Sequence, residues 1–248
     1  MVGDELLKVM TSAADAVREA LADVDDWRPK TDRPGQYEID VVTDEVAVEI
    51  LVGAGLGVLS EESGLHFPER DVVVVVDPVD GSTNASRGVP WYATSLCAVN
   101  RDGPLAALVV NQASGERFQA VRGQGATRDG RPLAPSTCSD MSGALVGVSG
   151  LPKHDWGWAQ FRALGAAALD LCYVAAGHLD AYVDAFSSAH GPWDYLGGLL
   201  VCQEAGAVVV DAEGRELVVL EHDARRTPVA ASTPALLEQL LDAVAGGG

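Results

Sequence analysis

Residues 71–84 read DVVVVVDPVDGSTN. The five consecutive valines, Val72–Val76, predict a strand that is buried on both faces, because a β-branched run without alternating polar residues suits the interior of a sheet. Two acids, Asp77 and Asp80, follow where this strand ends, and Gly81 then allows a tight turn. A strand end holds its side chains rigidly, so we expect a ligand site at this point of the chain.

The residues after the turn favour a phosphate site. A short helix is predicted from about Ser82, and the free N–H groups of its first turn would attract an anion. Two carboxylates beside an anion need a cation between them, and Mg²⁺ suits that position because it takes hard oxygen ligands and keeps several waters. The alternative is a capped turn in which Asp80 accepts hydrogen bonds from local N–H groups. This stretch alone leaves both interpretations open.

Two other acidic positions have similar alternatives. Glu61 and Glu62 stand upstream of the valine strand, and adjacent glutamates are typical of solvated charge. Asp194 follows Trp193 in the predicted first turn of a helix, where an acid interacts favourably with the helix dipole. In the functional interpretation, these acids supply further metal ligands.

The rest of the chain mixes helices and strands without strict alternation. Apolar spacing predicts helices over about Asp4–Leu21, Val42–Val52, Gly165–Ala176, Pro192–Ala205 and Leu236–Val244, the last capped by Ser232 or Thr233. Further strands are predicted at Val58–Leu59, Ala93–Val99, Pro104–Asn111, Arg117–Val121, Ala144–Ser149, Leu179–Val183, Ala207–Val210 and Pro228–Ala231. The three strands after the valine strand form a predicted antiparallel meander, so a layered α+β fold is favoured over a doubly wound sheet.

Composition and charge indicate a globular protein with a small-molecule partner. The chain has 248 residues, of which 48% are hydrophobic and 21% charged. We expect a single domain over 1–248 with two lobes of about 1–140 and 141–248. The formal net charge is −19, and a surface this acidic disfavours nucleic acid and anionic membranes as partners.

The cysteines indicate a reducing, cytoplasmic compartment. Cys97, Cys138, Cys172 and Cys202 form no CxxC pair, and all but Cys138 lie in apolar runs that are typical of buried thiols. The first residues of the chain include acids and no long apolar segment, so no signal peptide is predicted. No stretch reaches about 18 uncharged apolar residues, so no membrane span is predicted.

Taken in order, the motifs resemble those of the inositol monophosphatase family, the lithium-sensitive and magnesium-dependent phosphatase superfamily. The matching segments are Glu-Glu-Ser at 61–63, Asp-Pro-Val-Asp-Gly-Ser-Thr-Asn at 77–84, and Trp-Asp at 193–194 before Glu-Ala-Gly at 204–206. Asp40–Thr43 looks like the family's Asp-Leu-Val-Thr segment, and Ala168–Asp184 looks like its apolar segment that ends in a substrate-contacting acid. The resemblance extends from about Asp40 to Ala231.

The resemblance implies a fold, a cofactor and a set of site residues. The fold would be the layered αβαβα sandwich of the sugar phosphatases, and the cofactor two Mg²⁺ ions, with a third left open. The implied ligands are Glu61, Asp77 and the Val79 carbonyl for the first ion, and Asp77, Asp80 and Asp194 for the second. The other implied roles are water orientation by Glu61 and Ser82, phosphate binding by the Gly81 and Ser82 N–H groups, and contact with substrate hydroxyls by Asp184. The implied reaction is hydrolysis of a small phosphorylated metabolite by metal-activated water, and relatives are commonly homodimers.

Two departures from the family pattern concern the third ion. The family usually has a further acid at the position of Val46, whereas here Asp44 and Glu45 come sooner. Gln36 and Tyr37 stand where a basic residue is usual. A peripheral third metal and lithium sensitivity are therefore left open, and the central pair of ions is unaffected.

The sequence disfavours two other classes of function. A covalent aspartyl phosphatase would place its two acids at i and i+2 on one strand face, but two residues separate Asp77 and Asp80. A metal-binding scaffold derived from the family would have lost a ligand, yet all four expected acids are present. Inositol or sugar monophosphate ranks first as substrate, fructose-1,6-bisphosphate second, and 3′-phosphoadenosine nucleotides or histidinol phosphate after them. His190 is either a loop residue or a substrate contact.

Overall fold

The computed structural model describes residues 3–33, 36–152, 155–186 and 189–246. Helices in these parts of the chain are α1 (Gly3–Ala22), α2 (Glu38–Gly53), α3 (Ser82–Arg87), α4 (Ala167–Ala175), α5 (Pro192–Ala205) and α6 (Pro234–Gly246). None of them has the length and apolarity that crossing a membrane requires.

Two sheets organise the described residues. The first has eight strands, β1 (Gly57–Ser60), β2 (Gly64–His66), β3 (Val72–Asp80), β4 (Ala93–Asn100), β5 (Gly103–Asn111), β6 (Arg117–Val121), β7 (Ala126–Arg128) and β8 (Arg131–Pro132), in the order β2-β1-β3-β4-β5-β6-β7-β8. The second has five, β9 (Leu145–Ser149), β10 (Gln160–Arg162), β11 (Ala181–Asp184), β12 (Val208–Asp211) and β13 (Pro228–Ala231), in the order β10-β9-β11-β13-β12. From β3 to β8 each strand pairs antiparallel with the next, which confirms the meander.

The valine strand explains the layering of the first sheet. Side chains alternate along a strand, and Val74 and Val76 pack in one core with α1 and α2. Val73 and Val75 point to the other face and pack in a second core with α4 and α5. Both faces are therefore covered by helices, which is why the run carries no polar residue.

The second sheet repeats this arrangement. Tyr182 and Ala230 on one of its faces join the core that contains α4 and α5. Val183 and Val229 on the other face pack against Leu236 of α6. The layers thus follow the order helices, sheet, helices, sheet, helix, and the predicted layered α+β sandwich is confirmed. The division into lobes at about residue 140 stays a prediction.

The boundaries of several elements differ from those predicted. Helix α2 begins at Glu38 rather than Val42, because the Asp40 carboxylate accepts a 2.7 Å hydrogen bond from the Tyr37 N–H and so closes the first turn. Thr233, rather than Ser232, caps α6 by accepting from the Leu236 N–H at 3.3 Å. Strands β2 and β10 were not predicted, because three residues at a sheet edge are too few to show a periodicity.

Candidate metal centre

Three carboxylates from distant parts of the chain meet at the end of β3. Glu61 follows β1, Asp77 lies in β3, and Asp194 lies in the first turn of α5. Each offers an oxygen, and these oxygens all lie within 4.8 Å of one another. Because β1 and β3 are parallel neighbours, their carboxyl ends deliver Glu61 and Asp77 to the same edge. This arrangement favours the interpretation of these acids as ligands over that of solvated charge.

Burial makes this cluster electrostatically unfavourable without a cation. Asp77 is 2% exposed, and its pKa is raised well above the usual range by burial and then by the charges of Glu61, Asp80 and Asp194. Burial, followed by the charges of Asp194 and Glu62, also raises the pKa of Glu61. A divalent cation would remove this repulsion, and clustered carboxylate oxygens are the donors that Mg²⁺ takes. The residues present therefore fit a magnesium ion.

Asp80 lies beside the three-carboxylate cluster and is partly engaged elsewhere. Its Oδ2 accepts a 2.7 Å hydrogen bond from the N–H of Ala168 at the start of α4. Burial and then the charge of Asp194 raise the pKa of Asp80 to about 7. The contact to α4 is long-range, so the interpretation of Asp80 as a purely local turn cap is incomplete, and its role as a metal ligand stays a prediction.

A small cavity opens beside the cluster. It measures about 130 Å³, and Asp40, Glu61, Val79 and Ser82 are among the residues that line it. The Val79 N–H donates to Asp77 Oδ1 at 2.9 Å, which fixes the backbone between the two acids of the motif. The structure thus brings Ser82 and Glu61 to one space, and their role in orienting a water stays a prediction.

Gly81 and Asn84 hold the turn between β3 and α3 in place. Gly81 has a φ of +87°, and a Cβ there would lie 3.0 Å from the carbonyl oxygens of Trp91 and Gly165, so a larger residue fits poorly. Asn84 Nδ2 donates to the carbonyls of Trp91 and Leu164 at 2.8 Å each. The Asn of the motif therefore ties α3 to the segment before α4, a role that the sequence alone did not indicate.

We expect Asn84→Asp to damage the site although it keeps the shape of the side chain. The amide donor would become a carboxylate oxygen facing two carbonyl oxygens, so we expect a loss of roughly 1–3 kcal/mol in stability and weaker phosphate binding. Thermal unfolding and inhibition by inorganic phosphate measure the two effects. Asn100→Asp is the matched control, since Asn100 Oδ1 only accepts there, from the Asp102 N–H at 3.0 Å and from Arg122 Nη2 at 3.2 Å, and a carboxylate oxygen keeps both bonds. Equal effects of the two variants would contradict this assignment.

Asp194 caps helix α5 and also lies in the carboxylate cluster. Its Oδ2 accepts from the Gly191 N–H at 2.8 Å, which caps α5, while the residue also belongs to the carboxylate cluster. His190 Nδ1 lies 3.2 Å from the same Oδ2, and His190 Nε2 lies 3.6 Å from Asp184 Oδ2. Burial alone would lower the pKa of His190, but the hydrogen bond and charge of Asp194, with those of its other acidic neighbours, raise it to about 9. His190 thus lies between Asp194 and Asp184 rather than in a loop away from the site.

Two residues of the site were missed from the sequence. Arg33 Nη1 lies 3.2 Å from Glu62 Oε2 and also donates to the Glu62 carbonyl, so a basic residue does reach the site, from the loop before α2. Asp40 is 4% exposed, and its Oδ1 has no hydrogen-bond partner among the described residues. Burial raises the pKa of Asp40 to about 7. The sequence did contain a signal for Arg33. A basic residue is usual at the position of Gln36 and Tyr37, and Arg33 lies slightly upstream of it.

Fold and site together define a two-sheet α+β protein with a partly buried carboxylate cluster that fits divalent cations. The chain belongs to the inositol monophosphatase family, whose sequence model matches residues 5–246.

Individual relatives show how broad this family is. Nus factor SuhB of Salmonella typhimurium is 36% identical over 173 residues, covering 63% of this chain and 63% of that protein, which is less than two thirds of its length. Fructose-1,6-bisphosphatase of Pyrococcus furiosus is 30% identical over 206 residues, covering 82% of this chain and 81% of that protein. The extragenic suppressor protein suhB from Bartonella henselae superposes with a TM-score of 0.84 at 26% identity, covering 98% of this chain and 100% of that chain.

Proposed function

We propose that this protein is a magnesium-dependent phosphomonoesterase that hydrolyses inositol monophosphate or a related sugar phosphate. The observation that carries the proposal is the cluster of Glu61, Asp77 and Asp194 oxygens within 4.8 Å in a chain of this family. A partly buried group of acids like this one is costly without a cation, which favours a chemical role for it.

The proposed ligand set extends this cluster. Glu61, Asp77 and the Val79 carbonyl would hold one Mg²⁺, and Asp77, Asp80 and Asp194 a second. The bound ions would lower the pKa of a coordinated water and offset charge on the leaving oxygen. The α4 N–H that contacts Asp80 Oδ2 would orient this carboxylate. The binding of a third ion is left open. The Arg33 side chain already occupies space beside Glu62.

The remaining residues would handle the water and the phosphate. Ser82 and Glu61 line the same cavity, so they are placed to orient an attacking water between them. The first N–H groups of a helix lack partners within the helix, and those of Gly81 and Ser82 would bind the phosphate oxygens. No covalent intermediate on the protein is needed, because in-line attack by water transfers the phosphoryl group directly.

Asp184 would contact the alcohol part of the substrate. It is 1% exposed, and its Oδ2 has no hydrogen-bond partner among the described residues, so it would accept a hydrogen bond from a substrate hydroxyl. With a net charge of −19, we expect a small phosphate ester to be attracted by the bound metal ions rather than by a positively charged surface. Four free cysteines support the cytoplasmic location that we include in the proposal. The homodimer stays a prediction.

The substrate is identified by phosphate release at saturating Mg²⁺. The panel consists of inositol 1-phosphate, fructose-1,6-bisphosphate, histidinol phosphate and 3′-phosphoadenosine 5′-phosphate. We expect the highest kcat/KM for inositol 1-phosphate. A clear preference for either of the last two esters would contradict the proposed substrate class while leaving the phosphatase activity standing.

A second function has one observation in its favour. The 36% identical relatives carry the name Nus factor SuhB, which is not the name of an enzyme. A scaffold of that kind would not need the four acids Glu61, Asp77, Asp80 and Asp194, and all of them remain in this chain. Magnesium binding without release of phosphate from any ester in the panel would favour the scaffold.

A further inference from the structure

His222 contacts both sides of the metal centre from a distant part of the chain. It lies in residues 212–227, the connection between β12 and β13 of the second sheet. Its Nε2 lies 3.0 Å from the carbonyl oxygen of Glu61, which follows β1 of the first sheet. A carbonyl oxygen only accepts, so His222 Nε2 carries a proton and donates this hydrogen bond. Arg33 Nη2 donates to the same carbonyl at 3.5 Å, so His222 is the closer of these two donors.

The imidazole of His222 also packs beside the ligand from α5. Its centroid lies 4.9 Å from the ring of Trp193, and Trp193 immediately precedes Asp194. Trp193 is buried, and the guanidinium carbon of Arg225 lies 5.1 Å from the centre of the same ring. One side chain therefore reaches Glu61 through a hydrogen bond and the neighbourhood of Asp194 through a ring contact.

The connection that carries this imidazole is held in place at two further points. The hydroxyl of Tyr195 in α5 donates to the carbonyl of Leu217 at 2.7 Å. Arg226 and His190 exchange two backbone hydrogen bonds, of 2.8 and 3.1 Å. The backbone around the imidazole is therefore anchored beside α5 before it reaches across to the first sheet.

Glu61 depends on such a contact because it lies beyond the end of its strand. Strand β1 ends at the preceding residue, and Glu61 opens a turn. The Glu61 N–H donates to the carbonyl of Val76 at 3.2 Å, which holds one side of its backbone to β3. The hydrogen bond from His222 holds the carbonyl on the other side. With both backbone groups restrained, the Glu61 carboxylate is kept facing the other two carboxylates of the cluster.

We propose that His222 is a positioning residue, whose hydrogen bond to the Glu61 carbonyl keeps the Glu61 carboxylate in place for Mg²⁺. This inference rests on the proposed metal site, and it adds a residue that would touch neither the ion nor the substrate. Loss of a group that orients a metal ligand typically weakens metal binding by about 10–100-fold. Because the Glu61 carbonyl keeps its contact with Arg33, we expect the lower end of this range.

Two substitutions separate the hydrogen bond from the ring contact. His222→Phe keeps a ring beside Trp193 but removes the donor, so it should weaken Mg²⁺ binding about tenfold in calorimetry. His222→Gln removes the ring but brings an amide N–H close to the position of Nε2, so its Mg²⁺ affinity should stay near that of wild type. In phosphate release, His222→Phe should raise the half-saturating Mg²⁺ concentration about tenfold. The KM for the ester at saturating Mg²⁺ should not change.

His178→Phe is the matched control. The His178 ring also packs on an aromatic ring, 5.0 Å from that of Tyr173. His178 follows the end of α4, whereas Asp80 contacts the start of that helix, so this substitution should leave Mg²⁺ affinity unchanged. Thermal melts in EDTA show whether each variant is folded. If His222→Phe is not, His222→Ala replaces it with the same expected loss, since it also lacks the donor.

The outcomes separate this inference from the proposed metal site. An unchanged Mg²⁺ affinity in the donor-less variant would mean that His222 has only a structural role, and the metal site would stand. An equal loss in His222→Gln or in His178→Phe would also show that the inference is wrong, because the hydrogen bond to Glu61 would not be its cause. If wild type binds no Mg²⁺, both the inference and the metal site are wrong.

Discussion

Asp77→Asn is expected to lower kcat by about 10³-fold or more. Asp77 is the acid that both proposed metal ions share, so its replacement by a neutral amide weakens both sites at once. Losing roughly 4 kcal/mol of transition-state stabilisation corresponds to about this factor. The measurement is phosphate release at saturating substrate over a series of Mg²⁺ concentrations, with Mg²⁺ binding followed by calorimetry on the same samples.

The same substitution is expected to stabilise the metal-free protein. Burial and three neighbouring carboxylates raise the pKa of Asp77 well above its usual range, so removing its charge relieves repulsion by roughly 1–3 kcal/mol. Unfolding in the presence of EDTA measures this gain. A variant that is both less active and less stable would indicate misfolding instead of a lost ligand.

Asp211→Asn is the matched control, because it is expected to change the stability of the metal-free protein in the opposite direction. Asp211 is 3% exposed, close to the 2% of Asp77, so the two substitutions compare equally buried carboxylates. Burial alone would raise the pKa of Asp211, but its hydrogen bonds from Arg215 and Thr227 lower it to about 2. We therefore expect Asp211→Asn to lower the stability of the metal-free protein, by roughly 1 kcal/mol after solvent screening. Stabilisation by both substitutions would contradict the electrostatic account of the cluster.

The metal-free protein is expected to lose stability as pH rises from about 5 to 8, and Mg²⁺ is expected to restore it. Burial raises the pKa of Asp80 and of Asp40 to about 7. An unfolded carboxyl releases its proton near pH 4. Between these values the folded state binds more protons than the unfolded state, so stability falls as pH rises through the window.

The titration of His190 also lowers the stability of the metal-free protein as pH rises, but at higher pH. Its pKa is raised to about 9, so the stability that its charged form contributes is present below about pH 6.5 and is lost as pH rises toward 9. Mg²⁺ at about 100 times its dissociation constant adds about 2.7 kcal/mol, which is roughly 5–10 °C in Tm for a chain of this length.

Thermal melts with EDTA and with Mg²⁺ over this pH range check the prediction. Asp77→Asn should show a shallower pH dependence with EDTA and a much smaller shift with Mg²⁺. A metal-free Tm that rises from pH 5 to pH 8 would mean that the carboxylates are ionised and compensated without a metal.

Local sequence was sufficient for the elements that carry the site. The five-valine run predicted the strand buried on both faces, because this pattern depends only on neighbouring residues. The predicted end of the strand before Asp77 was wrong, since β3 continues to Asp80 and includes both acids. The spacing of the motif also predicted the short helix from Ser82, which the structure places at Ser82–Arg87.

Long-range contacts could not be predicted in this way. Asn84 and Leu164 are 80 positions apart, and His222 Nε2 lies 3.0 Å from the carbonyl of Glu61, 161 positions away. Such hydrogen bonds depend on how the layers pack, so the spacing of apolar residues in the sequence does not predict them. Arg33 was missed for a related reason, since a loop can deliver a basic side chain from several positions.

The most direct test of the proposed function is phosphate release from inositol 1-phosphate by EDTA-treated protein as Mg²⁺ is added back, with wild type and Asp77→Asn measured in parallel. We expect no release by wild type in EDTA, saturable recovery with Mg²⁺, and recovery by Asp77→Asn to no more than about one thousandth of the wild-type rate at any Mg²⁺ concentration. Release by wild type that continues undiminished in EDTA, or recovery by Asp77→Asn equal to that of wild type, would contradict a metal-dependent phosphatase built on these acids.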